Sequence, residues 1–200
     1  MQAQTSAPAI AAEDRMRADL YGFLGRVLFV PPTARHLQDL QSLEGDETEM
    51  GRAFETLSKL AGATDLKTAQ EEYDGLFIGM GRGELLPFAS YYLTGFLNEK
   101  PLAKLRSDMQ LLGIARSEDV KEPEDHIGAL FEMMAGLITG RYGAPEMLSQ
   151  QHEFFAAHIE PWSGHFFKDL EAAEFSRLYQ PVGTIGRLFV EIETDAFSMQ

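Results

Sequence analysis

The chain has 200 residues, 44% of them hydrophobic and 24% charged, and 17 basic against 31 acidic side chains leave a formal net charge of −14. Such a surface repels phosphate backbones, which argues against nucleic acid as a partner and for a basic peptide or protein. The lack of cysteine excludes disulfides, thiolate metal sites, iron–sulfur ligation and cysteine nucleophiles.

In chain order, residues 1–12 read as a flexible N-terminal tail rich in Ala, Gln, Ser and Thr, 13–195 as one folded domain, and 196–200 as a C-terminal tail. The start has neither the basic region nor the apolar run of a secretory leader. No stretch approaches the roughly 20 apolar residues that cross a bilayer. The expected location is cytoplasmic, without stable membrane insertion.

From about Ile10 a helix is predicted, because Met16, Leu20, Phe23, Leu24, Val27 and Leu28 recur at steps of three and four. Pro31 and Pro32 end it, since proline has no amide donor and clashes with the preceding turn. A short helix is expected over 34–43, then one over 47–61 capped by Asp46 or Thr48. Thr64 or Asp65 starts another, with Leu66, Ala69, Tyr73, Leu76 and Phe77 on one face. In "IGMGRGELLPFAS" three alternating glycines and Pro87 predict an irregular loop. "YYLTGFL" fits strand or helix by composition, and "PLAKLRSDMQLLG" is a helix stopped by Gly113.

"EPEDHIGALFEMMAGLI" begins the next helix, about 123–141, with Glu122 as its cap and Pro123 as its first residue. Glu124 and Asp125 then fall in the first turn, where carboxylates suit the helix dipole. Ile127, Leu130, Phe131, Met134, Leu137 and Ile138 form a core-facing stripe. His126 is left without a structural reason, because a cationic ring is disfavoured at a helix start. Helix-start decoration and a binding role at Asp125–His126 both stay open. Pro145 starts a helix over "PEMLSQQHEFFAAHI" and Pro161 one over "PWSGHFFKDLEAA", where Trp162, Phe166, Phe167 and Leu170 anchor the core. A last helix covers about 174–191. The fold class is all-α: a single-domain helical bundle of about nine or ten helices with a glycine-rich central loop.

Chemical motifs are sparse. The glycine loop lacks the lysine and Ser/Thr of a phosphate-binding P-loop and follows a helix instead of a strand. Edged by Phe77, Leu85, Leu86, Phe88, Tyr91 and Tyr92, it either plugs the core or admits a peptide. "HEFFAAH" separates its histidines by six residues, so His152 and His158 face different sides of a helix and do not make a zinc pair. No nucleophile elbow or kinase set is present.

Three segments together resemble the TorD-like chaperones (TorD, DmsD, NarJ), which mature molybdenum-cofactor redox enzymes. They are "YDGLFIGMGRGELLPFASYYLTG" (73–95), "EPEDHIGALFEMM" (122–134) and "FFAAHIEPWSGHFFKDLEAAEFSRLY" (154–179), within a likeness in order and spacing over 15–192. The resemblance implies a cytoplasmic all-helical chaperone without catalytic turnover. Its partners would be the apo form of a molybdoenzyme catalytic subunit and that subunit's twin-arginine leader, with export delayed while cofactor is inserted. The "GRGELLP…SYYLTGFL" segment looks most like members that serve formate-dehydrogenase-type enzymes. The family's signal-peptide-binding region carries over to Leu76, Phe77, Pro87, Ser90, Tyr91, Asp125 and His126, with Glu84, Phe88 and Glu122 beside them. No resident cofactor or metal is implied, and weak GTP binding is associated with the family. The state implied is a monomer or a domain-swapped dimer. The competing readings are a helical metal-dependent hydrolase using His126, His152 or His158, a GTP-switched assembly factor, and a scaffold that ignores leaders.

Overall fold

Two helix starts with a side-chain cap in the sequence fall where expected. Thr48 accepts a hydrogen bond from the Gly51 amide and starts α3 (Glu49–Ala63), while Asp65 accepts from the Thr68 amide and starts α4 (Leu66–Tyr73). The computed structural model describes residues 10–79, 81–116 and 120–199, so the expected N-terminal tail lies outside it up to residue 9. Upstream run α1 (Ala12–Phe29) and α2 (Ala34–Gln41); downstream come α5 (Ala89–Thr94), α6 (Lys100–Leu111) and α7 (Ile127–Thr139). The chain closes with α8 (Leu148–His158), α9 (Glu160–Ala172) and α10 (Gln180–Ser198). These ten helices form one all-helical domain, and "YYLTGFL" resolves as helix in its first half.

Four boundaries differ from expectation, each for a long-range reason. The helix expected over 64–77 is α-helical only to Tyr73 and continues as a π-helical turn, Asp74–Ile78. α7 starts at Ile127 with His126 as its cap, not at Pro123 with Glu122 as cap, so Glu124 and Asp125 lie outside the helix. α8 begins at Leu148 instead of Pro145, because the Glu146 amide first folds back onto the Leu137 carbonyl (2.9 Å). α10 begins at Gln180 instead of 174 and runs past 191 to Ser198. Its approach is held by carboxylates: Glu72 accepts from the amides of Arg177 and Tyr179, and Glu84 from those of Glu174 and Phe175.

α7 is the centre of the molecule, with Ile127, Leu130, Phe131, Met134, Leu137 and Ile138 almost fully buried, as its stripe predicted. α1 packs along it at close range, for a Cβ on Gly128 would lie 2.7 Å from the Gly25 carbonyl oxygen. Phe131 meets Tyr21, Phe167 and Phe189, which joins α7 to α1, α9 and α10. α1 is also tied to α10 by a fork of two 2.8 Å hydrogen bonds from Arg17 to the buried Glu193 carboxylate. Trp162, Phe166, Phe167 and Leu170 are buried, each such side chain contributing about 1.5–3 kcal/mol of burial free energy. Among the described residues no helix is long and apolar enough to cross a membrane.

Candidate functional site

The start of α7 and the end of the glycine-rich loop are joined by a two-residue antiparallel pairing, the only strand-like contact among the described residues. Phe88 faces His126; the Ala89 amide donates to the Asp125 carbonyl (3.0 Å) and the Ile127 amide to the Pro87 carbonyl (2.8 Å). Proline suits position 87 because only its carbonyl is used. The pairing brings five of the predicted residues together: Pro87, Phe88, Ser90, Asp125 and His126.

Asp125 is 1% exposed. Its Oδ2 accepts from the Ser90 amide (2.8 Å) and from the Ser90 hydroxyl, so a residue 35 positions away caps the start of α5. Its Oδ1 is buried and has no hydrogen-bond partner among the described residues. A carboxylate oxygen in that condition carries a full desolvation cost and is a strong acceptor without a donor.

His126 resolves differently from its sequence expectation. Its Nδ1 accepts from the Gly128 amide (3.0 Å), so the ring itself is the N-cap of α7. An acceptor must be neutral, and burial alone pushes the ring's pKa down from 6.5 to about 3. The ring sits edge-on between Phe29 (4.9 Å) and Phe88 (5.1 Å), which supply the apolar surround. The dipole objection applied to the cation; the neutral ring meets the helix start as a lone pair. Glu124, next in the row, accepts from Arg106 at 2.8 and 3.1 Å and lies 3.7 Å from Arg116. Burial opposes its ionisation, but the Arg106 hydrogen bonds prevail and hold the carboxyl below its usual range.

The remaining predicted residues are placed around this cluster. Leu76 and Phe77 sit in the π-helical turn, whose wider register frees the Gly75 and Leu76 carbonyls to accept from the Glu84 and Leu85 amides (3.0 and 2.8 Å). Phe77 packs on Tyr73 and Tyr179. Gly79 is required at this corner: its φ is +59°, and a Cβ there would strike the Arg82 carbonyl. Glu84 points away to the amides of Glu174 and Phe175 (2.6 and 3.0 Å) and is not part of the cluster. Tyr91 is half-buried and holds Arg82, whose Nη2 donates to its hydroxyl (2.7 Å). Glu122 is exposed; its charge is felt by Tyr73, whose pKa burial first, then Glu122 and Asp74, raise to about 12. Sequence reasoning missed Phe29, Arg82 and Arg106, none of which carries a local signal for its role.

A cleft of about 370 Å³ opens beside the cluster, between α1, α2, α7 and the start of α10. Phe23, Val27, Leu40, Leu57, Ala135 and Val182 supply its apolar wall. None of the ten predicted residues lines it, but two lining residues neighbour them: Val30 follows Phe29, the neighbour of His126, and Tyr179 packs on Phe77. The other histidines are engaged elsewhere. His152 lies flat on Phe197, and His158 pairs with Asp108 at 2.7 Å. Among the described residues no three His, Asp or Glu side chains are grouped to hold a metal ion.

The sequence profile of the nitrate reductase delta subunit family matches residues 43–168. The chain is 25% identical over 196 residues to the "Chaperone protein TorD" of Vibrio cholerae, covering 88% of this chain and 89% of that one. It is 29% identical over 177 residues to the "Probable Tat proofreading chaperone DmsD" of Haemophilus influenzae, covering 83% and 84%. A crystal structure described as a redox enzyme maturation protein from Archaeoglobus fulgidus superposes with a TM-score of 0.59 at 21% identity, over 95% of this chain and 99% of that one. That likeness concerns the fold.

Proposed function

This chain belongs to the nitrate reductase delta subunit family, which includes TorD-like chaperones, and we propose that it is a cytoplasmic chaperone for the apo catalytic subunit of a molybdoenzyme. It binds that subunit's twin-arginine leader, assists cofactor insertion, delays export and catalyses no reaction of its own. The client is of the formate-dehydrogenase type.

One observation carries the reading: the unpartnered Oδ1 of Asp125, buried beside a neutral histidine. The donor that such an oxygen lacks is supplied by a guanidinium, which pairs with carboxylates more strongly than a neutral donor does. The neutral His126 does not repel an incoming cation. The apolar part of the leader lies in the α1–α7 cleft, which accepts anchors at i, i+3 or i+4, and i+7 of a helix. The charge of −14 steers the arginines, with a rate gain that salt screens.

The test is calorimetric titration of a synthetic leader peptide, two adjacent arginines followed by an apolar stretch, into the full chain. Asp125→Asn keeps an acceptor for Ser90 and removes the charge. It is expected to weaken binding by about tenfold or more, the worth of a charge-assisted hydrogen bond. Unchanged affinity removes Asp125 from the site. If the peptide does not bind while the leaderless apo subunit does, the chain is a scaffold for mature surfaces instead.

A further inference from the structure

Arg82 lies between Gly81 and Gly83 in the central loop, is exposed, and makes no ion pair among the described residues. In a chain with 31 acidic side chains an exposed arginine has many carboxylates to choose from. It turns instead onto Tyr91: Nη2 donates to the Tyr91 hydroxyl at 2.7 Å, and the guanidinium carbon stands 5.1 Å from the ring centroid. The Tyr91 face is therefore a seat whose chemistry is displayed by its present occupant, a stacked and hydrogen-bonded guanidinium.

The seat is firm. Tyr91 packs edge-on against Tyr92 (6.0 Å), and the Tyr92 hydroxyl donates to Asp169 (2.9 Å) while its ring rests on Trp162 and Phe166. The occupant is held more loosely. Gly81 has φ +95° and open space around it, and although the Arg82 backbone packs on Gly79, the exposed Arg82 side chain is held by Tyr91 alone among the described residues. Directly beyond the seat, Leu93, Phe96 and Leu97 are 43%, 69% and 40% exposed, three large apolar side chains within five residues. Ser90, whose amide and hydroxyl Asp125 holds, immediately precedes Tyr91, so the Tyr91 face starts one residue from the Asp125 contact.

We propose that the Tyr91 face is an arginine-binding subsite, occupied in the free protein by Arg82 as an internal stand-in, and that a leader arginine displaces Arg82 while the apolar residues immediately beside it, as distinct from the longer apolar stretch assigned to the α1–α7 cleft, dock on Leu93, Phe96 and Leu97. The inference rests on the leader-binding reading and adds to it a second arginine position and a built-in competitor. The competitor lowers affinity for a peptide that uses the Tyr91 seat, by the fraction of the time that the seat is occupied, and leaves a peptide that does not use it unaffected.

The experiment titrates two synthetic peptides, one with the adjacent arginines and one with lysines in their place, into the wild-type chain, Arg82→Gln, Tyr91→Leu and the double variant. Arg82→Gln is expected to tighten the arginine peptide by about three- to tenfold, the worth of an exposed cation–π contact with its hydrogen bond. Tyr91→Leu weakens it by a similar factor and abolishes the gain from Arg82→Gln in the double variant. The lysine peptide gains less, because an ammonium does not stack and fork as a guanidinium does. An equal gain for both peptides would reflect mere relief of charge repulsion and overturns the proposal, as does no gain at all. If wild type binds the arginine peptide through Asp125 yet ignores Arg82 and Tyr91, only this inference falls; if it binds neither peptide, the leader reading falls with it. Arg82 is exposed in a loop, so its variant folds as wild type does even where Tyr91→Leu is destabilised.

Discussion

The neutral His126 cap makes stability depend on pH in a window where few other groups titrate. In the unfolded chain a histidine titrates near 6.5, whereas in the native protein burial holds His126 down to about 3. The native state is thus favoured fully above pH 6.5, and the advantage shrinks as pH falls through 6.5 towards 3, because only the unfolded chain takes up the proton. Between pH 7 and pH 5 the loss is about 2 kcal/mol, and any native value below about 4 gives the same loss, since the unfolded titration sets it. His158, whose pKa burial lowers against the opposing pull of Asp108, loses stability in the same direction. A variant separates the two. His126→Asn keeps a side-chain oxygen for the Gly128 amide but loses the ring between Phe29 and Phe88, which costs roughly 1–3 kcal/mol at pH 7. Urea unfolding followed by circular dichroism at both pH values is expected to show wild type losing about 2 kcal/mol more than the variant. Equal losses in the two proteins would mean that His126 is not held neutral, and the account of the α7 start would be wrong.

Two glycines on α1 and α7 give opposite expectations. A Cβ at Gly22 meets nothing within 4 Å, and the residue lines the α1–α7 cleft, so Gly22→Leu should raise stability by about 0.5–1 kcal/mol through helix propensity while weakening the leader peptide; affinity unchanged in titration would take the apolar stretch out of the cleft. A Cβ at Gly128 would stand 2.7 Å from both the Gly25 carbonyl oxygen and Phe29 Cβ, so Gly128→Ala should push α1 off α7 and cost roughly 1–3 kcal/mol in denaturant unfolding. No loss there would mean that the two helices slide apart freely.

What could be read from the sequence follows from how far each signal reaches. Thr48 and Asp65 cap helices three residues ahead of themselves, and Gly113 follows α6 with φ +68°, so these starts and stops were legible. The apolar stripe of α7 was legible for the same reason. The start of α10 was not, because residues 174–179 have helical periodicity but their amides are taken by Glu72 and Glu84, about 90 to 107 positions away. Nor was its extension to Ser198 visible before Phe197 was seen packing on His152 and Phe155. The π-helical turn is likewise invisible locally, since the carbonyls it frees are used by the returning loop.

At Asp125 the local rules gave a mistaken explanation, and at His126 they gave none. Pro123 and three acids before an apolar stripe satisfy the preferences for a helix start, yet the helix begins one residue after His126. The chain does not use those preferences because residues 125–127 pair with 87–89, and a helical turn there would leave the Pro87 carbonyl and the Ala89 amide without their partners. Once the pairing is made, Asp125 is forced inward, Ser90 takes one oxygen, and the other is left buried without a hydrogen-bond partner among the described residues. A protein selected only for stability would replace that aspartate by asparagine, which accepts from Ser90 without a buried charge, or would supply a donor. Asp125 thus serves the fold with one oxygen, and under the proposed function the other is the position to which the leader brings a donor.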